Sequence, residues 1–133
     1  MNGEITLYTH LKNDSNVTAL LTGSGSKKRI AIGVREPTTW KPSDSTISIY
    51  NAVGMDNRDK RMIVDLTVNC RASTENKAKE LASAVVTSLY RAEISGGGGR
   101  YYTSTGFVIV PQDETDSFNL PVTVTIKAGE VKP

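Results

Sequence analysis

His10 and Cys70 are the one imidazole and the one thiol in the 133 residues, and they are the first places to look for acid–base or nucleophilic chemistry. His10 lies in a segment with helical spacing and has no cysteine or paired carboxylates at metal-ligand distance in the sequence. It reads as a solvent-facing or capping residue. Cys70 falls on the apolar side of an alternating strand, where a thiol is buried and inert. The run Gly23-Ser24-Gly25-Ser26-Lys27-Lys28 departs from the phosphate-loop spacing and precedes a strand instead of opening a helix, so it reads as a flexible linker. Gly96 to Gly99 also leads into a strand and reads as a mobile loop. Asp113, Glu114 and Asp116 do not match a calcium loop and read as a solvated hairpin tip. No catalytic residue, cofactor-binding residue or metal ligand is assigned, no cofactor is expected, and the chain is not read as an enzyme.

The side chains that suggest recognition are of another kind. Trp40 stands in a proline-bearing segment, and Tyr101-Tyr102 follow the glycine run; large aromatics in such places are the types that anchor interfaces. Arg58 and Arg61 belong to the mixed-charge turn from Asp56 to Arg61, and Arg100 precedes the tyrosine pair. These six residues are the candidate subunit or partner contacts.

Positioning them requires a small set of elements. Ile5, Leu7, Tyr8 and Leu11 recur at helical spacing, and Val17, Leu20 and Leu21 repeat the pattern after a polar break. Ile30, Ile32 and Val34 alternate with polar or small residues as a half-buried strand does. Pro37 and Pro42 make 36–45 an extended loop. A strand follows at 46–51, a charged turn at 54–60, and then the clearest alternation of the chain, from Met62 to Cys70. Ser73 and Thr74 are candidate N-caps for a helix whose apolar stripe is Ala78, Leu81, Ala82, Val85 and Leu89 and which ends near residues 91–94. Two closing strands are expected at 100–110 and 120–128, with Pro121 suited to an edge. The order α-β-β-β-α-β-β predicts an α+β fold with a mainly antiparallel sheet of about five strands and two helices packed on one face. The other face is left to solvent or a partner.

Composition fits one such domain, residues 1–133, since the chain is 38% hydrophobic and 23% charged. No apolar run approaches the roughly 20 residues that span a bilayer, the N-terminal segment lacks the layout of a secretory signal, and the lone cysteine gives no sign of an oxidising compartment. The chain is therefore expected to stay in the cytoplasm in which it is made. A net charge of +2 with both signs interspersed is not the electrostatic footprint of a dedicated nucleic-acid binder.

The layout resembles the tail-terminator and tail-completion proteins of long-tailed phages, of the phage lambda type. The resemblance covers nearly the whole chain. It runs through the N-terminal helix into Val17-Thr18-Ala19-Leu20-Leu21-Thr22-Gly23, the strand from Arg29 to Val34, the loop with Pro37 and Pro42, the strands Ile47 to Tyr50 and Met62 to Cys70, the alanine-rich helix 74–91 and the closing strands. It implies a structural subunit that forms a six-fold ring on the end of the tail tube, stops tail elongation and offers the surface where the head attaches. The implied partners are copies of itself, the tail tube protein and a head-completion or connector protein, with no membrane and no specific nucleic acid. The implied location is the head-proximal end of the virion tail, assembled in the host bacterial cytoplasm. The alternatives are another virion connector role, in head completion or the tail tube, and a non-enzymatic ligand-binding or nucleic-acid-binding module.

Overall fold

The computed structural model describes residues 3–33, 35–50, 55–58, 61–90, 92, 99–104, 110–112 and 117–128; at 55–58, 61–64, 99–104, 110–112 and 127–128 the description is of the backbone. Helices α1 (Gly3–Lys12) and α2 (Ser15–Thr18) and a 3-10 turn (Gly25–Lys27) precede β1 (Ile30–Ile32), β2 (Thr46–Tyr50), β3 (Met55–Arg58) and β4 (Arg61–Ala72). Helix α3 (Glu75–Leu89) then leads to β5 (Gly99–Ser104), β6 (Val110–Gln112) and β7 (Ser117–Ala128). The chain has an α+β fold.

Among the described residues seven strands form one sheet in the order β1-β2-β4-β7-β5, with β3 paired to β4 and β6 to β7. Four β4 residues pair with β3 and five with β2, while β7 takes the other edge of β4. On β7, six residues pair with β5 and three with β6. The sheet is mixed, because β1 runs parallel to β2. Two of the expected elements are corrected by this topology. The charged turn expected at 54–60 contains β3, with Arg58 opposite Arg61; alternation is weak in four polar-rich residues, and pairing with β4 supplies what propensity does not. Of the strand expected at 100–110, the described residues show β5 up to Ser104 and β6 from Val110, the rest lying outside the described residues, and β7 begins at Ser117, three residues before the expected start.

Alternation fixes the two faces. Leu66, Val68, Cys70 and Ala72 of β4, Ile47 and Ile49 of β2, and Leu120, Val122, Val124 and Ile126 of β7 are all 5% exposed or less and share one core. Leu7 and Leu11 of α1, Val17 of α2, and Ala78, Leu81, Ala82, Val85 and Leu89 of α3 close that core from the helix side. Both expected helices thus lie on one face. The helix α3 starts at Thr74, whose Oγ1 accepts from the Lys77 N–H at 3.2 Å, and ends at Leu89 with Tyr90 as C-cap, a turn short of the expected end. Its Glu75–Lys79 pair, 3.9 Å apart and more than half exposed on both sides, contributes little.

The segment 22–29 is not the flexible linker its glycines suggest. Gly23 has φ +105, and a Cβ there would run into the Lys27 carbonyl, so the turn requires glycine. Lys27 N–H donates to Ser24 O and Arg29 N–H to Thr22 O, both at 2.9 Å. A closed turn delivers the chain into β1. There Ile30 is buried but Ile32 is 42% exposed, since β1 is the sheet's edge and the helix layer covers only its start. Val34 and Gly96–Gly98 lie outside the described residues, as do Asp113, Glu114 and Asp116.

Candidate functional site

Two places collect polar side chains. The first is in the helix layer. His10 is on α1, Asp14 caps α2 by accepting from the Asn16 N–H at 2.9 Å, and Ser88 is in the last turn of α3. The His10 Nε2 lies 3.1 Å from both the Ser88 carbonyl oxygen and Ser88 Oγ. The Ser88 hydroxyl is also hydrogen-bonded to Asp14. The sequence reading of His10 as solvent-facing or capping is corrected in part: it is half-buried and ties α1 to α3.

Histidine, serine and aspartate are the types used in nucleophilic catalysis, but the geometry is unlike that of a triad. A triad needs an unprotonated Nε2 facing the serine and the carboxylate on the other ring nitrogen. Here Nε2 faces a carbonyl, which only accepts, so Nε2 carries a proton and donates. The Asp14 carboxylate is hydrogen-bonded to the serine hydroxyl, the group a triad leaves to the imidazole. The three residues form a clamp between helices, beside an open groove of 740 Å³ lined also by Ile5, Thr9 and Asn13.

The Ser88 hydrogen bond holds the Asp14 carboxyl below its ordinary value of 3.8, helped by the Asn16 and Val17 N–H groups and the nearby His10 and opposed by partial burial. A lowered folded-state value stabilises the protein above the unfolded carboxylate pKa, and that contribution disappears as pH falls through the folded value. Asp14→Ala is therefore expected to cost about 1 kcal/mol at neutral pH through the lost cap. Urea titrations of the two proteins should converge as the pH drops below about 4, and a constant difference down to pH 2 would remove the carboxylate from the explanation.

The second place is the loop that joins β1 to β2, on the sheet face away from the helices. Arg71 ends the outer row of β4 and is 4% exposed. Its Nε donates to Glu36 Oε2 at 3.0 Å, and its Nη2 lies 2.9 Å from Glu36 Oε1. Nη1 donates to the Pro42 carbonyl at 2.6 Å and Nη2 to the Lys41 carbonyl at 3.1 Å. Thr46 Oγ1 donates to the same Glu36 carboxylate at 2.6 Å. Nearer β1, Arg29 Nε meets Asp44 Oδ2 at 3.3 Å, and that oxygen also accepts the Lys41 N–H at 2.8 Å. Each carboxylate of the loop is thus spent on an arginine of the sheet side. A fork-shaped guanidinium suits this role because it satisfies a carboxylate and two carbonyls together.

Elsewhere on the outer face described polar side chains pair with one another. Asp65 accepts from Thr125 Oγ1 at 2.6 Å, Asn69 Nδ2 donates to Asn119 Oδ1 at 2.9 Å, and Thr123 is exposed beside them. Of the six candidate contact residues, Trp40 is half-buried in the Arg71-tethered loop, with its N–H donating to the Pro37 carbonyl at 3.1 Å. Arg58 and Arg61 face each other across the β3–β4 pair. Arg100, Tyr101 and Tyr102 are on β5, opposite Lys127, Ile126 and Thr125. The structure does not gather the six into one patch: the Trp40 loop flanks the β1–β2 margin, and β5 is the far margin. Sequence reasoning missed Arg71, Glu36 and Asp44; the available signal was two carboxylates in a proline-flanked loop next to an arginine placed on a strand's polar side. Cys70 is fully buried, and burial pushes its thiol far up, which leaves it inert. Among the described residues no group of three or more His, Cys, Asp or Glu could hold a metal ion, and no helix is long and apolar enough to cross a membrane.

No protein-family model matches the chain, and no curated protein matches it in sequence. Among solved structures 17 chains match. One is a chain of the virion of a native gene transfer agent particle: the TM-score is 0.67 at 14% identity, over 96% of this chain and 95% of that one. The two share a fold along nearly their whole lengths.

Proposed function

From a fold shared end to end with a chain of a gene transfer agent virion, we propose that this protein is a phage-type virion structural subunit and, within that class, a tail terminator. In this reading copies of the chain close into a six-fold ring on the tail tube, end its elongation and form the surface to which the head attaches. The proposal treats residues 1–133 as one domain acting without catalysis, at the head-proximal end of the tail. The observation that carries it is the near-complete coverage of both chains. The site geometry is in keeping: the polar trio of the helix layer is a clamp, and the cysteine is inert.

The outer face carries Asn–Asn and Asp–Thr pairs, with Arg71 consumed internally, and a net charge of +2 with both signs interspersed favours assembly over a groove that tracks a phosphate backbone. A head-completion or tail-tube role is the alternative, and it differs in which polymer end is bound. The test is whether the purified chain closes into a ring and whether that ring sits on the end of a tail tube and halts its growth; a stable dimer, or side-on binding along the tube, would overturn the reading.

A further inference from the structure

The strand order ends in β1 at one margin and β5 at the other, and among the described residues no strand pairs with the outer side of either. The hydrogen bonds of β1 show which groups its edge presents. The Arg29 carbonyl accepts the Ile47 N–H at 2.9 Å, and the Gly33 N–H donates to the Ile49 carbonyl at 2.8 Å. Arg29, Ala31 and Gly33 therefore turn their backbone groups to β2, and Ile30 and Ile32 turn theirs away, because successive residues of a strand alternate. The Ile30 N–H is met by the Lys28 carbonyl at 2.8 Å. The Ile30 carbonyl and both backbone groups of Ile32 are left facing outward along the edge.

Nothing in the strand guards that edge. Edge strands are ordinarily blunted by charges, proline or bulges, and Ile-Ala-Ile has no charge and no proline. Ile32 is 42% exposed, and among the described residues it is one of three large apolar side chains left so open. Outward N–H and C=O groups beside an exposed apolar side chain are the chemistry that takes up another extended strand. The strand has only three residues, so a single pairing is weak and gains from being repeated around a closed ring.

The opposite margin offers a strand of the right kind. Gly99–Ser104 pairs with β7 through one side of its backbone, and every second residue turns its N–H and C=O the other way. The directions agree as well. β1 is parallel to β2, and the antiparallel steps from β2 to β4, β4 to β7 and β7 to β5 leave β5 running opposite to β1. A sheet continued from the β5 of one copy into the β1 of the next is therefore joined by antiparallel pairing, the more stable kind. The contact is head-to-tail between two different edges, as a closed ring requires.

Resting on the ring reading above, we infer that the β1 edge of one copy pairs antiparallel with the β5 edge of its neighbour, joining their sheets main chain to main chain with Ile32 at the seam. The experiment is hydrogen exchange of the full wild-type chain, below and above the concentration at which native mass spectrometry shows assembly. The Ile32 amide is expected to exchange as exposed chain when dilute and at least about tenfold more slowly in the assembly, together with every second amide of Gly99–Ser104. Ile32→Pro removes the outward donor and no bond to β2; with its fold checked by thermal melts of the dilute chain, it should raise the concentration needed for assembly about tenfold, roughly one hydrogen bond per contact. Ile32→Ala keeps the donor and should raise it less; an equal effect would overturn the main-chain seam in favour of a side-chain contact. If wild type forms the ring and the Ile32 amide still exchanges as exposed chain, the edge inference is overturned while the ring reading stands. If Ile32 gains protection and the amides of Gly99–Ser104 do not, β5 is not the partner strand. A stable dimer as the largest species, or a chain that never assembles alone or on tail tube, would remove the ring reading and this inference together.

Discussion

Arg71→Ala is expected to destabilise the protein by about 3 kcal/mol, the lower end of the cost of breaking a buried ion pair. The side chain of Arg71 is 5% exposed and that of Glu36 27%, so the carboxylate left behind retains some access to water. Two carbonyls, of Pro42 and Lys41, lose their donors as well, and each unmet acceptor adds to the cost. Arg71→Lys should recover little, because an ammonium is a point charge and cannot span the carboxylate and both carbonyls. Adding Glu36→Ala to Arg71→Ala should cost almost nothing further, since the pair is already broken; urea unfolding of the two single variants and the double variant measures the coupling. Equal and additive losses would mean that the two side chains stabilise the fold independently. Hydrogen exchange adds a local readout. The Lys41 and Asp44 amides, which donate to Asp44 Oδ2 and to the Lys41 carbonyl, should exchange faster in Arg71→Ala, while those of α3 keep their protection relative to the new global stability.

Leu81→Ala is expected to cost a similar amount, about 3 kcal/mol, by a different mechanism. Leu81 is 1% exposed in the stripe of α3 that faces the sheet, where truncation loses the transfer of the removed carbons and leaves a cavity. Ile32→Ala is the control. At 42% exposure on the edge strand it should cost less than about 1 kcal/mol. The two variants should keep the wild-type dependence on urea concentration and shift only the midpoint. Equal losses would mean that the edge of β1 is covered by something beyond the described helix layer.

How far these elements could be read without coordinates depended on the kind of physics that forms them. The period-two pattern of Leu66, Val68 and Cys70 is a statement about burial, and the strand and its inward face follow from it, whereas its central place in the sheet comes from the pairing. Thr74 and the stripe from Ala78 to Leu89 gave α3 in the same way, with an end misplaced by a few residues because the helix runs out of core before it runs out of helix-forming sequence. β3 was missed because Met55 to Arg58 carries no periodicity, and its pairing with β4 belongs to the tertiary structure. The parallel pairing of β1 and β2 is invisible for the same reason: nothing in Ile30–Ile32 states the direction of its neighbour. The Gly23 turn was misread because glycine serves flexible chain and tight turns equally, and only its φ tells them apart.

The candidate site was less legible than the fold. Trp40 stood out by type and by its proline setting, and the structure adds that its loop is braced. Arg71 did not stand out, since an arginine on the polar side of a strand usually points to water; its burial depends on a loop from 26 to 35 residues earlier folding over it. His10 and Ser88 are 78 residues apart, and no spacing rule joins them. The fold shared with a chain of a gene transfer agent virion runs along nearly the whole chain, and the proposed role rests on that fold and not on any motif.

The most direct measurement of the central claim is native mass spectrometry of the purified chain, with and without tail tube, followed by imaging of the tube ends. The account predicts one closed species, a hexamer, that appears with concentration or on the tube and is found at tube ends. A stable dimer as the largest species in both conditions, with tube ends bare, would contradict it.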